Sequence, residues 1–373
     1  MTDVDVVVAV HDPARPFART VASALTGNEE TDVRVTVACH ELDPEEVRPL
    51  LPPETLPHVR FLEVRDGLGS PSGPYNAGID AATARWVSIV GSDDHLEPGA
   101  LAAWAELGDR LGSDVVLAPI RLADGSPVRT PRVRLGRSQD LDPVRDRLAY
   151  RTAPLGLMRR STLNRLGLRL TPGMRSGGDV AFTARLWTCG VRIDLAAGTP
   201  AYVVGTTAAT RVTTAVRPVP EELRAFEDLL DRPWVLELPE DRRRALAVKT
   251  IRIHVLGALR RRPAEEDWTP EEVAWVRRLV GRWVALAPGV LDPFSVADRA
   301  LLDAVLRSGA DPASVSAAVR RRNTAGRLAQ WLAPRPLANL DRESTLRARA
   351  GDLATAVLDG TLRRSSNTSG GRA

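Results

Sequence analysis

The sequence predicts an α/β fold, a mostly parallel sheet flanked by helices, followed by an all-helical C-terminal part. Three observations predict it. Val4–Val10 is an almost purely β-branched run, as expected of a strand buried on both faces. Short apolar runs then alternate with helically spaced segments through the first half of the chain, the rhythm of successive β–α units. Past Val216 that rhythm stops, and helical spacing with capping signals takes over.

The elements follow in order. Phe17–Leu25, after the first strand, has helical spacing. Further strands are predicted at Val33–Cys39, Val59–Val64, Trp86–Val90 and Val115–Ala118, with helices at Pro44–Leu51, Asn76–Arg85 and Gly99–Leu111 between them. Arg121–Leu141 is polar and punctuated by Pro and Gly, so it reads as a long loop or hairpin excursion. Leu155–Met158, a helix start near Ser161, a helix over Asp179–Cys189, and strands at Val191–Leu195 and Ala201–Val204 complete this half. In the second half, Thr269-Pro270-Glu271-Glu272 is a capping box with proline at the first helical position. Val273, Val276, Val280, Trp283 and Ala287 follow it at helical spacing, and Asp292-Pro293 and Asp311-Pro312 repeat the cap-plus-proline signature. The expected organisation is a sheet domain over residues 1–215, a helical domain over 216–364, and a Ser/Gly/Asn-rich tail over 365–373 that reads as disordered.

Composition narrows the function classes. With 373 residues, 43% of them hydrophobic, the chain can fill a core in each domain. Residues 1–219 carry 25 basic and 26 acidic side chains, and the rest carry 26 and 21, so the net positive charge lies in the second half. Arginine triplets at Arg242–Arg244, Arg260–Arg262 and Arg320–Arg322 read as solvated helix faces, or as a peripheral contact with an anionic membrane surface or a phosphate-rich acceptor. Aromatics make up only 4% and do not interleave with these runs, which argues against a nucleic-acid partner. No apolar run approaches bilayer length, and Met1–Asp12 reads as a first strand instead of a leader. Cys39 and Cys189 form no disulfide framework. These features favour a cytoplasmic location.

Three segments can carry chemistry. Trp86–Val90 runs directly into Gly91-Ser92-Asp93-Asp94, with a helix start close behind. Adjacent carboxylates repel, and a hard cation such as Mg²⁺ or Mn²⁺ would hold them together beside a diphosphate; a turn with a helix cap is the plainer reading. Asp66–Gly78 is a glycine-rich link from strand to helix, suited to close backbone approach to phosphate, although its spacing is not that of a dinucleotide fingerprint. Gly178-Asp179 opens an amphipathic helix, as a simple N-cap or as a general base on a rigid element.

Taken together, these segments resemble the family-2 glycosyltransferases of the GT-A fold, over about Val4 to Thr214. Ala9-Val10-His11-Asp12 stands where that family has the end of its first strand, and Asn76-Ala77-Gly78 resembles its helix-opening Asn-x-Gly. Gly91-Ser92-Asp93-Asp94 with Leu96–Gly99 resembles its metal and nucleotide motif, Leu155–Ser161 its acceptor-side segment, and Gly178-Asp179 its base. The resemblance implies a nucleotide site made by Val10, Asp12, His40, Asp66, Asn76 and Asp93. It also implies a Mg²⁺ or Mn²⁺ site at Asp94 and Asp93, and Asp179 as the catalytic base. The chain departs from the family at several points. His40-Glu41 replaces the acidic residue that holds the nucleotide base, Tyr75 replaces an arginine before Asn76, and Gly91 replaces the first aspartate of the metal motif. No histidine lies between His95 and His254, and no Gln-x-x-Arg-Trp follows the base.

The resemblance further implies an inverting, metal-dependent transfer of a single sugar to an acceptor hydroxyl in surface polysaccharide, glycolipid or related synthesis. The donor is a nucleotide-diphosphate sugar, with a UDP-sugar as the leading candidate. A catalytically inactive binding or scaffold module and a nucleotidyltransferase are the other readings. The latter calls for a basic glycine-rich signature where His11-Asp12-Pro13 stands. Acceptor docking or self-association into a homo-oligomer is the expectation for the helical part.

Overall fold

The computed structural model describes residues 3–205 and 217–351. The tail expected over 365–373 lies outside them. The chain forms two compact units, Met1–Ala215 with Arg224–Leu229, and Val216–Leu223 with Leu230–Ala373.

In the first unit the strands are β1 (Val4–Val10), β2 (Val33–His40), β3 (Val59–Val64), β4 (Trp86–Val90), β5 (His95–Leu96), β6 (Val115–Leu117), β7 (Ile120–Leu122), β8 (Pro127–Val128), β9 (Gly156–Arg159), β10 (Ile193–Leu195) and β11 (Tyr202–Val204). The helices are α1 (Phe17–Leu25), α2 (Pro44–Val47), α3 (Ser72–Asp80), α4 (Ala100–Leu111), α5 (Arg160–Arg165) and α6 (Val180–Thr188). The main sheet has the order β10-β6-β9-β4-β1-β2-β3, and β5-β11-β7-β8 form a second, smaller sheet. β1 pairs in parallel with β2 and β4, β2 with β3, and β10 with β6, whereas β9 runs against both β4 and β6. The excursion expected at Arg121–Leu141 holds the short β7–β8 hairpin.

Period-two alternation divides β1 between two cores. Val4, Val6, Val8 and Val10 pack with Phe17 and Val21 of α1 and Trp104 of α4. On the other face, Val7 packs with Ile79 of α3 and Phe182, Leu186 and Trp187 of α6. Asp5 shares that second face and is fully buried. Its Oδ2 accepts from the Thr83 and Ala84 amides at 2.6 and 2.7 Å. Arg34 Nε approaches Oδ1 at 3.4 Å, and Arg60 follows at 3.8 Å while also donating to Thr36 and the Ala81 carbonyl. These bonds explain why the helix expected over Asn76–Arg85 ends at Asp80: the amides of Thr83 and Ala84 satisfy a buried carboxylate instead of a helical ladder. The helix also begins earlier than expected, at Ser72. The helix expected over Pro44–Leu51 breaks into α2 and a 3₁₀ turn over Arg48–Leu50, where Pro49 has no amide to donate.

The remaining described residues are helical: α7 (Val219–Leu230), whose Arg224–Leu229 belong to the first unit, and, in the second unit, α8 (Pro233–Glu237), α9 (Glu240–Lys249), a π-helical stretch Thr250–Val255, α10 (Leu256–Arg260), α11 (Pro270–Ala285), α12 (Val296–Leu306), α13 (Pro312–Thr324) and α14 (Arg327–Trp331). The capping box forms as expected, Glu272 N donating to Thr269 Oγ1 at 3.2 Å and Thr269 N to Glu272 Oε2 at 3.1 Å. Val273, Val276, Leu279, Val280 and Trp283 form the buried stripe of α11. Asp311 caps α13, but Asp292-Pro293 opens no helix; Ser295 caps α12 in its place. Most triplet arginines are engaged within the unit. Arg244 pairs with Asp341, Arg261 and Arg262 with Glu222, and Arg322 with Asp298, while Arg243 and Arg320 donate to backbone carbonyls. Such pairing is what structural arginines do, and it leaves less cationic surface than the sequence suggests. Among the described residues, no helix is long and apolar enough to cross a membrane.

Candidate active site

In open sheets of this kind, ligands bind beyond the carboxyl ends of the strands. β4, buried throughout, delivers Gly91–Asp94 to that edge, where Asp94 N closes a turn on Gly91 O at 3.0 Å. The two carboxylates of the turn then diverge in role. Asp94 Oδ1 accepts from Gly205 N at 2.8 Å, and Oδ2 accepts from the Tyr202 hydroxyl at 2.5 Å. Tyr202 in turn accepts from Gly91 N at 3.1 Å, and Thr20 Oγ1 donates to the Asp94 carbonyl at 2.6 Å. Burial raises the Asp94 carboxyl above its ordinary range, and the neighbouring Asp93 charge pushes the same way against the two hydrogen bonds. Gly205 has no alternative here, because a Cβ would lie 1.8 Å from the Asp93 carbonyl oxygen. Asp94 therefore ties β4 to β11 and joins the two sheets.

Asp93 faces the other way. Its Oδ2 meets Arg15 Nη2 at 2.8 Å, and its carbonyl accepts from Arg19 Nη2 at 3.1 Å. Arg15 is aimed by a turn in which Asp12 Oδ1 accepts from Ala14 N and Asp12 O from Arg15 N. His11, beside this turn, has a lowered pKa. Burial is the main cause and Arg15 the next, with His40 adding to the effect and Asp12 and Asp93 opposing it. The Val10 side chain lies in the core, so only its backbone can meet a ligand.

β2 and β3 supply a second cluster on the same edge. His40 Nε2 lies 2.9 Å from Asp66 Oδ1, which also accepts from Leu68 N at 2.9 Å. The His40 bond comes first among the causes that hold Asp66 below the usual carboxylate range. Glu41 Oε1 accepts from Gly67 N at 2.9 Å. Ligand atoms of His40, Glu41 and Asp66 fall within 4.8 Å of one another, the arrangement among the described residues nearest to a three-ligand metal site. The Asp66 carboxylate is folded over Gly73, where a Cβ would sit 1.8 Å from Oδ2.

Asp179 opens α6 with no capping bond from its side chain to the helix, so the plain N-cap reading lacks its hydrogen bond. The segment before it is fastened to the glycine-rich loop and α3. Ser70 Oγ donates to Met174 O at 2.7 Å, and Thr171 N to Gly178 O at 2.8 Å. Both amide atoms of Asn76 bond the Leu170 backbone, at 2.9 and 2.8 Å. Asn76 thus clamps the start of this segment to α3. Tyr75, whose hydroxyl donates to Val90 O at 3.2 Å, stands among the acidic groups. Its pKa is pushed up by burial first and then by the charges of Asp94, Asp93 and Asp179, with Arg15 opposing. The charges of Asp94, Asp93 and Asp179 thus bear on one phenol.

Across the sheet edge the order is Asp66 after β3, His40 at the end of β2, His11 and Arg15 after β1, then Asp93 after β4. Three inter-strand steps of roughly 4.8 Å make about 14 Å, which suits an extended ligand. Sequence reading missed Arg15 and Tyr202. Arg15 follows a buried strand and could have been flagged by that position; Tyr202 carries no local signal.

No family model matches the chain. It is 28% identical over 201 residues to the succinoglycan biosynthesis protein ExoO of Rhizobium meliloti, covering 51% of this chain and 57% of that protein. It is 22% identical over 226 residues to the poly(ribitol-phosphate) beta-glucosyltransferase of Bacillus spizizenii, covering 61% of this chain and 36% of that one. The matches thus span about half and about a third of those relatives. Among solved structures, S. aureus TarS 1–349 in complex with UDP-GlcNAc superposes with a TM-score of 0.68 at 17% identity, over 86% of this chain and 92% of the other. A second structure of S. aureus TarS 1–349 gives 0.66 at 16% identity, over 87% and 92%. The mixed α/β fold expected from the sequence is the one found, and the resemblance to family-2 GT-A glycosyltransferases is borne out.

Proposed function

We propose that the protein is a glycosyltransferase that moves one sugar from a nucleoside-diphosphate sugar to an acceptor hydroxyl of a surface polysaccharide or related polymer, with inversion at the anomeric carbon. The observation that carries this reading is the row of polar groups beyond the carboxyl edge of β3-β2-β1-β4, ending at Asp93. The relatives named for succinoglycan biosynthesis and for poly(ribitol-phosphate) glucosylation support the acceptor class, and the UDP-GlcNAc complex of TarS supports the donor class.

In this reading His40 and Asp66 hold the base end of the nucleotide, and the backbone of Val10 with Asp12 lines its path. The divalent cation that the resemblance implies suits Asp93. Mg²⁺ is commonly held by one or two carboxylates with substrate phosphates completing its shell, and Asp93 is an oxygen donor at the cleft. Such a cation supplies stabilisation of the charge that develops on the departing diphosphate. Asp94, with a hydrogen bond on each oxygen, keeps the Gly91–Asp94 turn in shape beside Asp93. Asp179 takes the proton from the acceptor hydroxyl as that oxygen attacks the sugar.

The test is Asp179→Asn. A general base contributes typically ~10²–10⁴-fold, so turnover falls by about that factor while UDP binding with Mn²⁺, followed by thermal shift, stays at the wild-type level. Wild-type turnover in the Asn variant would reduce Asp179 to a helix start.

A further inference from the structure

The residues that follow β1 to β4 hold few cations. The stretches 11–16, 41–43, 65–71 and 91–94 contain Arg15 and Arg65, and α3 contains neither arginine nor lysine. Arg65 is turned onto Glu63, at 2.5 Å, and is largely exposed. Arg15 meets Asp93 at 2.8 Å and bears electrostatically on Asp94, with Arg19 beside it at the Asp93 carbonyl. A diphosphate cannot settle among those carboxylates without positive charge, and a guanidinium offers donors in a fixed fork that suits phosphate.

Arg15 is also underused where it sits. One of its five N–H donors reaches Asp93, and its buried Nε has no hydrogen-bond partner among the described residues. The Asp12 turn and the start of α1 hold its backbone, so the side chain can pivot without moving a secondary element. Its position in the loop after β1, the strand between β2 and β4, lies on the path of any nucleotide spanning the edge.

Resting on the donor reading above, we propose that Arg15 is an exchangeable clamp: it neutralises Asp93 in the free protein and moves to the diphosphate oxygens when a nucleoside diphosphate enters, leaving the Asp93 carboxylate open. Arg15 and a divalent cation then compete for one carboxylate, and the nucleotide decides between them by drawing the arginine away. Two consequences separate this from a merely structural ion pair. Removing the guanidinium weakens a nucleoside diphosphate while sparing the nucleoside. It also lets a divalent cation bind the free protein better than it binds the wild type.

The experiment uses the full chain with Mn²⁺, UDP and uridine as probes, comparing wild type, Arg15→Met and Arg15→Lys by calorimetry, with Mn²⁺ binding followed by electron paramagnetic resonance. The expected result for Arg15→Met is UDP affinity lower by about 10–100-fold, the scale of a lost charge-assisted hydrogen bond, with uridine unchanged and Mn²⁺ binding to the free protein strengthened. Arg15→Lys should recover part of the UDP affinity. If wild type binds UDP and Arg15→Met binds it equally well, or loses UDP and uridine alike, the clamp is refuted while the donor reading survives. If wild type binds no nucleoside diphosphate with any base, both fall together.

Discussion

Asp94→Asn tests whether the second carboxylate of the turn is a brace or a ligand. In the folded protein its two oxygens accept from Gly205 N at 2.8 Å and from the Tyr202 hydroxyl at 2.5 Å. An amide of the same shape can keep its oxygen on Gly205 N and turn its NH₂ to the Tyr202 oxygen, but the Tyr202 proton then loses its carboxylate acceptor. The loss is one hydrogen bond to a charged group, about 1.5–3 kcal/mol. For a unit of some 200 residues, 1 kcal/mol shifts Tm by roughly 2–4 °C, so the expected fall is about 3–12 °C. UDP affinity, measured well below the new Tm, should change by less than about threefold, since the bond that is lost faces β11 and not the cleft. Asp93→Asn gives the opposite pattern, with Tm nearly constant and Mn²⁺-dependent UDP binding lost. The assays are thermal unfolding by circular dichroism and calorimetric titration on the same preparations. The reasoning is refuted if Asp94→Asn keeps its Tm within about 1 °C and loses Mn²⁺-dependent binding, for the carboxylate would then be a ligand.

Two further predictions concern stability. Thr269→Ala removes the side-chain half of the α11 capping box and should cost about 1 kcal/mol, seen as a Tm lower by a few degrees in the helical unit and no change in UDP binding. Asp146 is fully buried and accepts from Arg134 Nε and Nη2 at 2.8 and 2.7 Å and from the amides of Arg134 and Asp142. Burial alone would raise this carboxyl; the Arg134 and backbone hydrogen bonds outweigh it and leave the pKa lowered. A lowered folded pKa means stability that is present above the unfolded value near ~3.9 and lost as pH falls through the folded one. Asp146→Ala should therefore cost about 2–4 kcal/mol at pH 7, discounted because Arg134 is a third exposed, and the gap to wild type should narrow below about pH 4 in urea titrations.

The strands were legible because burial on both faces leaves a continuous β-branched record, as in Val4–Val10, and α11 was legible because its cap and stripe are local. What the sequence concealed depends on distant partners. Asp5 looks like a blemish in a strand until Thr83, Ala84, Arg34 and Arg60 surround it, and those bonds are what shorten α3. Ser72-Gly73-Pro74 has poor helix propensity, so the start of α3 was placed too late; tertiary packing overrides that weak prior. The same holds at the site. Asp93 and Asp94 are indistinguishable as letters, and their difference is made by Tyr202, which lies 108 residues along the chain, and by Arg15 on another loop. The departures at Tyr75 and His40 were visible, whereas their compensation was not.

The Asp5 corner and the cleft terminate one and the same strand. The six steps from Asp5 to His11, at about 3.3 Å each, hold them roughly 20 Å apart, beyond the range at which substitutions ordinarily couple. Thermal robustness and substrate preference are thus separate dials on this scaffold. A library that remodels Asp5, Arg34 and Arg60 for heat tolerance can be combined with one that varies the opposite rim, and the gains of each should carry over to the other without rescreening.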